Sequence, residues 1–317
     1  MCYSAQVRAG YKKYVREFGA DVSLTQFYRT YWLRSQGAKI RIPKAMDAAF
    51  AEPENDEERR ITALIEAYDA EQASKLEQEL FRQRKRLADA ERSLQTKTTK
   101  AALESRRIAT EKVEWCLGKL RDLRRVELND EDHRIFPGWY APVLIERAGR
   151  RLVVPMRYQC RLAGKPSFYD TKFPGTYNAR RDNLEGFWKD AFASHHAIMI
   201  ATAFFENVSK HRVERRELGE GEKEENVVLE FRPRPTDEML VACLWSHWQE
   251  GDESLLSFAA ITDEPPAEIA AAGHDRCIIP IKHENVDAWL DPKGDARRAH
   301  SILDDRWRPF YEHRLAA

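Results

Sequence analysis

The chain has 317 residues, enough to bury a full hydrophobic core as two units or as one domain with a large insertion. Its 52 basic and 52 acidic residues cancel, so a nucleic-acid site would have to come from local segregation of charge. No apolar run is long enough for a membrane span and no secretory signal pattern is present, so we expect a cytoplasmic protein that makes no membrane contact. The five cysteines form no C-x-x-C pair and no metal-ligand spacing, so we expect no disulfide framework, no metal and no other cofactor.

The chain begins Met1-Cys2, and a cysteine at this position can acquire chemistry that internal residues lack. Removal of Met1 would leave Cys2 with a free α-amine and a thiol on adjacent carbons. An α-amine with a pKa of about 7.7–8.0 is partly neutral at physiological pH, so it attacks an aldehyde to give an imine, which the thiol closes to a five-membered thiazolidine. The dipeptide alone is weak evidence, because many chains carry a cysteine here and termini are often frayed.

Residues 1–50 are mixed in composition and rich in aromatic residues, which predicts short helices packed on a core. Residues 57–128 are dense in Glu, Lys, Arg, Gln and Ala, with no proline and a single glycine, Gly118, which is a helical composition. Apolar residues recur here in steps of three, four and seven, which predicts a narrow apolar seam on each of two helices. The seam residues are Leu76, Leu80, Leu87 and Leu94, then Val113, Leu117, Leu120 and Leu123. The polar segment Thr96–Lys100 between them favours an antiparallel helical hairpin; one long interrupted helix is the alternative, because no Gly or Pro forces a turn.

After the hairpin, short apolar and β-branched runs bounded by turn residues predict strands. These runs are Tyr140–Ile145, Leu152–Met156, Ala197–Phe204, Val227–Phe231, Met239–Leu244, Leu255–Ile261 and Cys277–Ile281. The charged segment Glu214–Asn226 between two of them is typical of a solvated hairpin loop. We therefore predict an α+β fold in which a mostly antiparallel β core, formed by residues 1–50 and 130–317, is interrupted by the helical hairpin at 57–128.

Two segments of this core carry side chains suited to nucleic-acid binding. Arg157 and Tyr158 lie together at a strand end, where the arginine suits a phosphate and the tyrosine a stacked base, although a structural ion pair explains the arginine equally well. Asn178 precedes the adjacent cations Arg180 and Arg181 in a loop flanked by Gly and Pro. An exposed basic turn would have the same sequence.

Two further segments carry side chains suited to proton transfer. Glu206 follows the apolar run Ala197–Phe204, where partial burial would raise its pKa toward the range of a general acid or base, although a strand-end glutamate usually faces water. His274 and Arg276 lie two residues apart just before a strand, so in an extended chain both point to one face. A lone histidine there is more often a hydrogen-bonded structural residue.

The Met-Cys start and the order of these segments resemble the SOS response-associated peptidase (SRAP) family, whose members shield abasic sites in single-stranded DNA by cross-linking to them. The family begins Met-Cys-Gly-Arg and then carries an Asn-Ala-Arg loop, a Phe-Tyr-Glu-Trp segment and a late His-x-Arg-Met-Pro segment. The corresponding positions here are Met1–Ser4, Asn178–Arg180, Phe204–Asn207 and His274–Ile278. The segments Leu244–Trp248 and Ile279–Pro292 also look like family sequence.

The resemblance implies a barrel-like β core with peripheral helices and a catalytic set made of Cys2, Asn178, Glu206 and His274. In this set Glu206 moves protons, Asn178 orients the N-terminal residue or the opened sugar, and His274 assists ring closure and reversal. The resemblance also implies that several side chains hold DNA, by contacts to phosphates or by stacking on a splayed base. These are Arg157, Arg180, Arg181 and Arg276 for phosphates, and Tyr158 and Trp139 for stacking.

The function implied is that of an abasic-site sensor, which cross-links to single-stranded DNA through a thiazolidine at Cys2 and associates with the nucleoid when bound. The family's peptidase label implies that the same pocket removes Met1. Two alternatives stay open. One is a scaffold that binds single-stranded DNA without a covalent bond and uses residues 57–128 to contact a protein partner or a second copy. The other is an N-terminal-cysteine peptidase or amidase acting on another substrate.

The chain departs from the family pattern at several places in these motifs. Ser4 replaces an arginine that in the family helps to hold DNA phosphate, Asn207 replaces a tryptophan, and Cys277-Ile278 replaces Met-Pro. Residues 57–128 have no counterpart in compact family members. None of the four reactive positions is lost.

Overall fold

The computed structural model describes residues 3–214 and 216–316. The predictions for Met1 and Cys2 therefore lie outside the described residues. The chain divides into two compact units. The first contains residues 3–30, 39–52 and everything described from 129 onward, and the second contains residues 31–38 and 53–128.

Thirteen strands are described, and they pair into one sheet. The strands are β1 (Ser4–Val7), β2 (Asp21–Val22), β3 (Arg134–Ile135), β4 (Tyr140–Arg147), β5 (Arg150–Tyr158), β6 (Asn178–Arg180), β7 (His196–Ser209), β8 (Asn226–Arg234), β9 (Met239–Glu250), β10 (Glu253–Asp263), β11 (Cys277–Ile278), β12 (Pro280–Ile281) and β13 (Phe310–Leu315). The helices are α1 (Tyr11–Phe18), α2 (Leu24–Ser35), α3 (Lys44–Ala48), α4 (Asp56–Thr96), α5 (Lys100–Arg124), α6 (Tyr169–Lys172), α7 (Lys189–Ser194), α8 (Lys210–Val213), α9 (Ala267–Ala271), α10 (Val286–Leu290) and α11 (Ala296–Asp304). None of these helices combines the length and the apolar character needed to span a bilayer.

Five of the strands close into a barrel. β7 pairs with β9, β9 with β10, β10 with β5, β5 with β4, and β4 returns to β7. All of these pairings are antiparallel except the one between β5 and β10. Closure pairs both edges of each of these strands, which removes the open edges that an unclosed sheet would expose. The structure thus confirms the predicted α+β fold with a mostly antiparallel, barrel-like core.

The longest of these strands, β7, extends beyond the barrel and carries the predicted Glu206 with it. Its first half pairs with β9 in the barrel wall. Its second half runs between β1 and β8, because Phe204 lies opposite Ala5 on one edge and opposite Phe231 on the other. Most of β7 is buried on both faces, which explains why its sequence is a continuous apolar run and not an alternating one.

The second unit contains the predicted helical hairpin, formed by α4 and α5. Arg86 Nε donates a hydrogen bond to Ser105 Oγ at 3.0 Å, and Arg124 pairs with Glu77 at 2.5 Å. Later positions in α4 thus meet earlier positions in α5, so the two helices run antiparallel. The hairpin is confirmed, and the alternative of one long helix is excluded.

The hairpin turns where the polar segment predicted it, between Thr96 and Lys100. The Thr99 side chain accepts a hydrogen bond from the Ala102 N–H at 3.1 Å, so it caps the start of α5. The apolar seam between the helices is formed by Leu76, Leu80, Val113, Cys116 and Leu120, with Ala73 beside them. Leu117 was predicted to lie in this seam, but it is exposed and Cys116 takes its place.

Candidate active site and nucleic-acid interface

Glu206 and His274, distant in sequence, meet in the structure. Glu206 Oε2 lies 3.2 Å from His274 Nε2, with the glutamate fully buried and the histidine 9% exposed. Glu206 comes from the end of β7, and His274 comes from the turn between α9 and β11. Because loss of water disfavours both a carboxylate and an imidazolium, the pair is suited to sharing one proton.

The second ring nitrogen of His274 determines how this proton is held. Nδ1 lies 2.9 Å from the carbonyl oxygen of Arg276 and 3.3 Å from the backbone nitrogen of the same residue. The shorter contact is to an acceptor, so we assign the hydrogen to Nδ1, which donates it to the carbonyl. Burial lowers the pKa of His274 and thereby favours the neutral imidazole. Nε2 is then the ring nitrogen that takes a proton from Glu206 and returns it.

The turn before β11 is what directs His274 toward Glu206. The His274 N–H donates to the Ile269 carbonyl at 3.2 Å, which folds the chain back onto α9. The preceding residue, Gly273, has a φ of +94°, and an added Cβ would lie 2.9 Å from Val208 Cγ1 and 3.1 Å from Arg212 Cβ. Both the backbone conformation and the space at this position therefore require glycine.

Gly273→Ala is expected to lower the free energy of unfolding by about 2–3 kcal/mol, because the new methyl group adds a steric conflict to an unfavourable φ. The displaced His274 loses burial, so its pKa should rise toward the ordinary value. Urea denaturation and an NMR titration of the imidazole measure the two effects. Gly251→Ala is the matched control, since Gly251 also has a positive φ (+57°) but has no atom within 4 Å of an added Cβ. Equal losses in the two variants would contradict the steric argument.

Asn178 is held near this turn by β10. It is the first residue of β6 and is only 5% exposed. Arg180 of β6 and Ile278 of β11 both pair with Thr262 of β10, so β6 and β11 lie on opposite edges of the same strand end. The segments that carry Asn178 and His274 therefore flank one end of β10.

The strand that follows Cys2 lies beside the strand that carries Glu206. Ser4 pairs with Phe205, and the Tyr3 N–H donates to the Phe205 carbonyl at 3.2 Å. The first described residue, Tyr3, directly follows Cys2 and lies beside Phe205, which directly precedes Glu206. Cys2 itself is outside the described residues, so its role stays a prediction.

Arg134 is a residue near the site that sequence reasoning missed. Its Nε donates to Ser4 Oγ at 3.0 Å, and its guanidinium carbon lies 3.8 Å from the centre of the Phe205 ring. Burial lowers the pKa of Arg134, and within residues 3–214 and 216–316 this cation forms no ion pair. A guanidinium from β3 is therefore brought to Ser4, the position at which the family pattern has an arginine. The two residues are 130 positions apart, so the sequence alone carries no signal of the contact.

Two residues predicted to bind DNA are engaged inside the protein. Tyr158 is fully buried, with its ring centre 5.6 Å from that of Tyr177. A ring without exposed surface cannot stack on a base, so the structure corrects the prediction for Tyr158. Arg157 donates to Asp170 at 2.8 Å, with both side chains less than one-fifth exposed. This arrangement favours the structural ion pair over the phosphate contact.

The other arginines predicted to bind DNA differ in their exposure and in their ion-pair partners. Arg181 pairs with Asp263 at 3.0 Å and is only 20% exposed. Arg180 is 49% exposed and pairs with Asp182 at 2.6 Å. The hydrogen bond from Arg180 holds the pKa of Asp182 below its usual range, and the charge of Arg276 adds to this effect. Arg180 and Arg276 are thus both close enough to Asp182 to act on the same carboxylate.

Trp139 belongs to an aromatic series that leads to the N-terminal strand. Its ring centre lies 5.7 Å from that of Phe136, and Phe136 makes an edge contact with Tyr3 at 5.8 Å. Trp139 is partly buried against the core, and Tyr3 is 38% exposed. This series keeps partly exposed ring surface close to the start of β1.

The chain was compared with curated proteins and with solved structures. No curated protein matches the sequence significantly. Solved structures that resemble the chain include a protein from Bacteroides thetaiotaomicron, at 14% identity and a TM-score of 0.46, covering 58% of this chain and 77% of that one. A protein from Bordetella bronchiseptica matches at 16% identity and a TM-score of 0.46, covering 63% of this chain and 95% of that one. A phage-related protein from the same organism matches at 17% identity and a TM-score of 0.44, covering 61% of this chain and 85% of that one.

The family profile described as SOS response associated peptidase (SRAP) matches residues 92–315. The match covers more than half of the chain and includes Asn178, Glu206 and His274, but it does not extend to Cys2. This chain therefore belongs to the SOS response-associated peptidase family.

Proposed function

We propose that this protein forms a covalent cross-link with abasic sites in single-stranded DNA through the α-amine and thiol of Cys2. Membership of the family fits a role at damaged DNA. The observation that carries the proposal is the buried contact between Glu206 and His274, 3.2 Å apart, beside the strand that begins after Cys2. A buried pair able to exchange one proton can supply the general acid and general base that accelerate condensation of an amine with an aldehyde.

The first stage of the reaction makes a carbon–nitrogen bond. An abasic site is a cyclic hemiacetal in equilibrium with its open aldehyde. As the ring opens, Glu206 donates a proton to the ring oxygen, and the proton of the anomeric hydroxyl returns to the carboxylate. The neutral amine of Cys2 adds to the aldehyde carbon to give a carbinolamine. Protonation of the carbinolamine hydroxyl by the same carboxyl group expels one water and leaves the imine.

The second stage makes a carbon–sulfur bond. The Cys2 thiol adds to the imine carbon and its proton passes to the nitrogen, so the ring closes without oxidation and without a cofactor. His274 relays this proton through Nε2. Asn178 is buried on the other side of β10. In this proposal it holds the opened sugar or the N-terminal residue in the attack geometry.

Two further parts of the proposal concern the removal of Met1 and the binding of DNA. Removal of Met1 is a hydrolysis that exposes the amine, and we assign it to the same pocket. Arg134, Arg180 and Arg276 hold phosphates on either side of the abasic site, while Trp139 offers a ring to a neighbouring base. The family pattern has an arginine where this chain has Ser4, and in this proposal Arg134 supplies that positive charge.

The test is an intact-mass measurement of the purified protein with and without a single-stranded oligonucleotide that carries one abasic site. We expect a protein lacking Met1 and an adduct whose mass is the sum of protein and DNA less one water. An oligonucleotide with a tetrahydrofuran residue at the same position has no aldehyde and should give no adduct. A cross-linked protein that retains Met1 would overturn the mechanism, and tight binding without an adduct would favour the non-covalent alternative.

A further inference from the structure

The helical hairpin of the second unit separates positive from negative charge along its length. Residues 82–107, which include the turn and the adjoining parts of α4 and α5, carry nine basic and three acidic residues. The rest of the hairpin, residues 56–81 and 108–124, carries seven basic and eleven acidic residues. A helical surface that is merely solvated mixes the two signs and forms pairs within each helix. We name residues 82–107 the basic tip; it is a local excess of positive charge in a chain that is neutral as a whole.

Several cations of the basic tip are not neutralised by a carboxylate. Five exposed side chains form no ion pair within the part of the chain that the structure describes, namely Arg84, Lys85, Lys97, Lys100 and Arg106. Three arginines of the tip do pair with a carboxylate, in each case on their own helix. Exposed pairs of this kind contribute at most about 1 kcal/mol, so they compete weakly with a highly charged ligand. The tip therefore offers positive charge to a partner.

The hairpin holds these cations on a stiff support. Between Arg84 and Thr96, α4 rises by about 18 Å at 1.5 Å per residue. The hydrogen bond from Arg86 Nε to Ser105 Oγ, at 3.0 Å, joins α4 to α5 within the tip. Over 18 Å of its axis a DNA duplex presents about ten phosphates. A row of cations on a preformed helix thus faces a regular row of anions with little backbone left to order on binding.

The composition of the basic tip distinguishes between the macromolecules that could supply these anions. Residues 82–107 contain no aromatic residue and no methionine. Proteins that hold single strands stack the bases on aromatic rings, and the centres of protein–protein interfaces are enriched in aromatic residues and methionine. A duplex requires neither, because its bases are stacked inside and its phosphates lie outside. The tip therefore fits the backbone of a duplex better than a single strand or an acidic protein.

We infer that the basic tip binds the phosphate backbone of double-stranded DNA without reading its sequence. This contact is made by the inserted hairpin and uses none of the residues assigned to the reaction with an abasic site. A single-stranded stretch is bordered by duplex, which supplies the ligand. The choice of DNA over RNA rests on the proposed function.

The test measures binding of the full-length protein to an undamaged duplex of 20 base pairs, so its result does not depend on cross-linking. Fluorescence anisotropy is recorded over a range of salt concentrations. Arg84→Gln, Lys85→Gln and Lys100→Gln should each lower the slope of log K against log salt by about 0.9, because each removes one contact that releases a counterion. A variant with glutamine at all five unpaired positions should bind at least about tenfold more weakly. Circular dichroism should show the same thermal unfolding, since all five side chains are exposed.

Matched controls come from the same helix, outside the basic tip. Lys112 and Lys119 are exposed residues of α5, and neither has an ion pair among the residues described. Lys112→Gln and Lys119→Gln should leave both the affinity and the salt slope unchanged. An equal loss in these controls would mean that only net charge matters and would overturn the inference.

Two further ligands test the assignment to a duplex. The variant with five glutamines is compared with the unmodified protein on a single strand of the same sequence and on polyglutamate. We expect its largest loss of affinity on the duplex. A larger loss on the single strand or on polyglutamate, or duplex binding equal to that of the unmodified protein, would overturn the inference. Tip-dependent binding to duplex by a protein that forms no adduct with abasic DNA would instead overturn only the proposed function.

Discussion

Cys2→Ala is expected to abolish the heat-stable adduct with abasic single-stranded DNA completely. The variant has no thiol to close the ring, so condensation stops at an imine, which water hydrolyses on heating. Reduction with borohydride during the reaction should still trap that imine, because an N-terminal amine remains. Denaturing gels run with and without heating, and with and without borohydride, distinguish the two species.

The control for this prediction is Cys116→Ala, which removes a buried thiol from the hairpin seam. It should cross-link at the same rate as the unmodified protein. Cys2→Ser should give a yield of heat-stable adduct between those of the unmodified protein and Cys2→Ala, because its hydroxyl is a weaker nucleophile than the thiol. A heat-stable adduct formed by Cys2→Ala would refute the thiazolidine and would require a different nucleophile.

The described cysteines are poor candidates for such a nucleophile. Cys116, Cys160, Cys243 and Cys277 are free but buried. Burial raises the pKa of Cys160 to about 12 and also raises the pKa of Cys277, with Glu206 adding to the second shift. A thiol with so high a pKa is almost entirely protonated near neutral pH, and the thiolate is the reactive form.

The fold was predictable where the sequence pattern reflects local structure. The composition and seam of residues 57–128 predicted the hairpin and its turn, and the apolar runs predicted the barrel strands. β1, β6 and β13 were not predicted, because each is short or polar and becomes a strand only by pairing with a distant partner. Closure of the barrel was likewise expected only from the family resemblance, since periodicity does not reveal which strands are neighbours.

The site was predictable in composition but not in geometry. The motif order identified Glu206 and His274, and the structure brings them into contact. Exposure could not be deduced from the sequence, and the predicted stacking role of Tyr158 is wrong because its ring is buried. Contacts between residues far apart in sequence, such as that of Arg134 with Ser4, leave no local signal.

Glu206→Gln is expected to slow cross-linking by about 10²–10³-fold, because glutamine keeps the size of the side chain but cannot donate and recover a proton. One feature of the pH profile should be common to both proteins. The rate should rise with pH as the amine of Cys2 loses its proton, at a pKa of about 8. The glutamine variant should show the same rise at a lower rate. Quenched-flow cross-linking from pH 5 to pH 9 measures both.

Glu230→Gln is the matched control, since Glu230 is also buried and lies opposite Phe205 on β8, but binds Arg232 and Arg314 instead of a histidine. It should leave the rate and the profile intact. Glu206→Gln combined with His274→Gln should be no slower than the slower single variant, because the two side chains act on one proton and their effects are not additive. Multiplied losses in the double variant would mean that each residue acts on a separate step, and the shared-proton assignment would then be wrong.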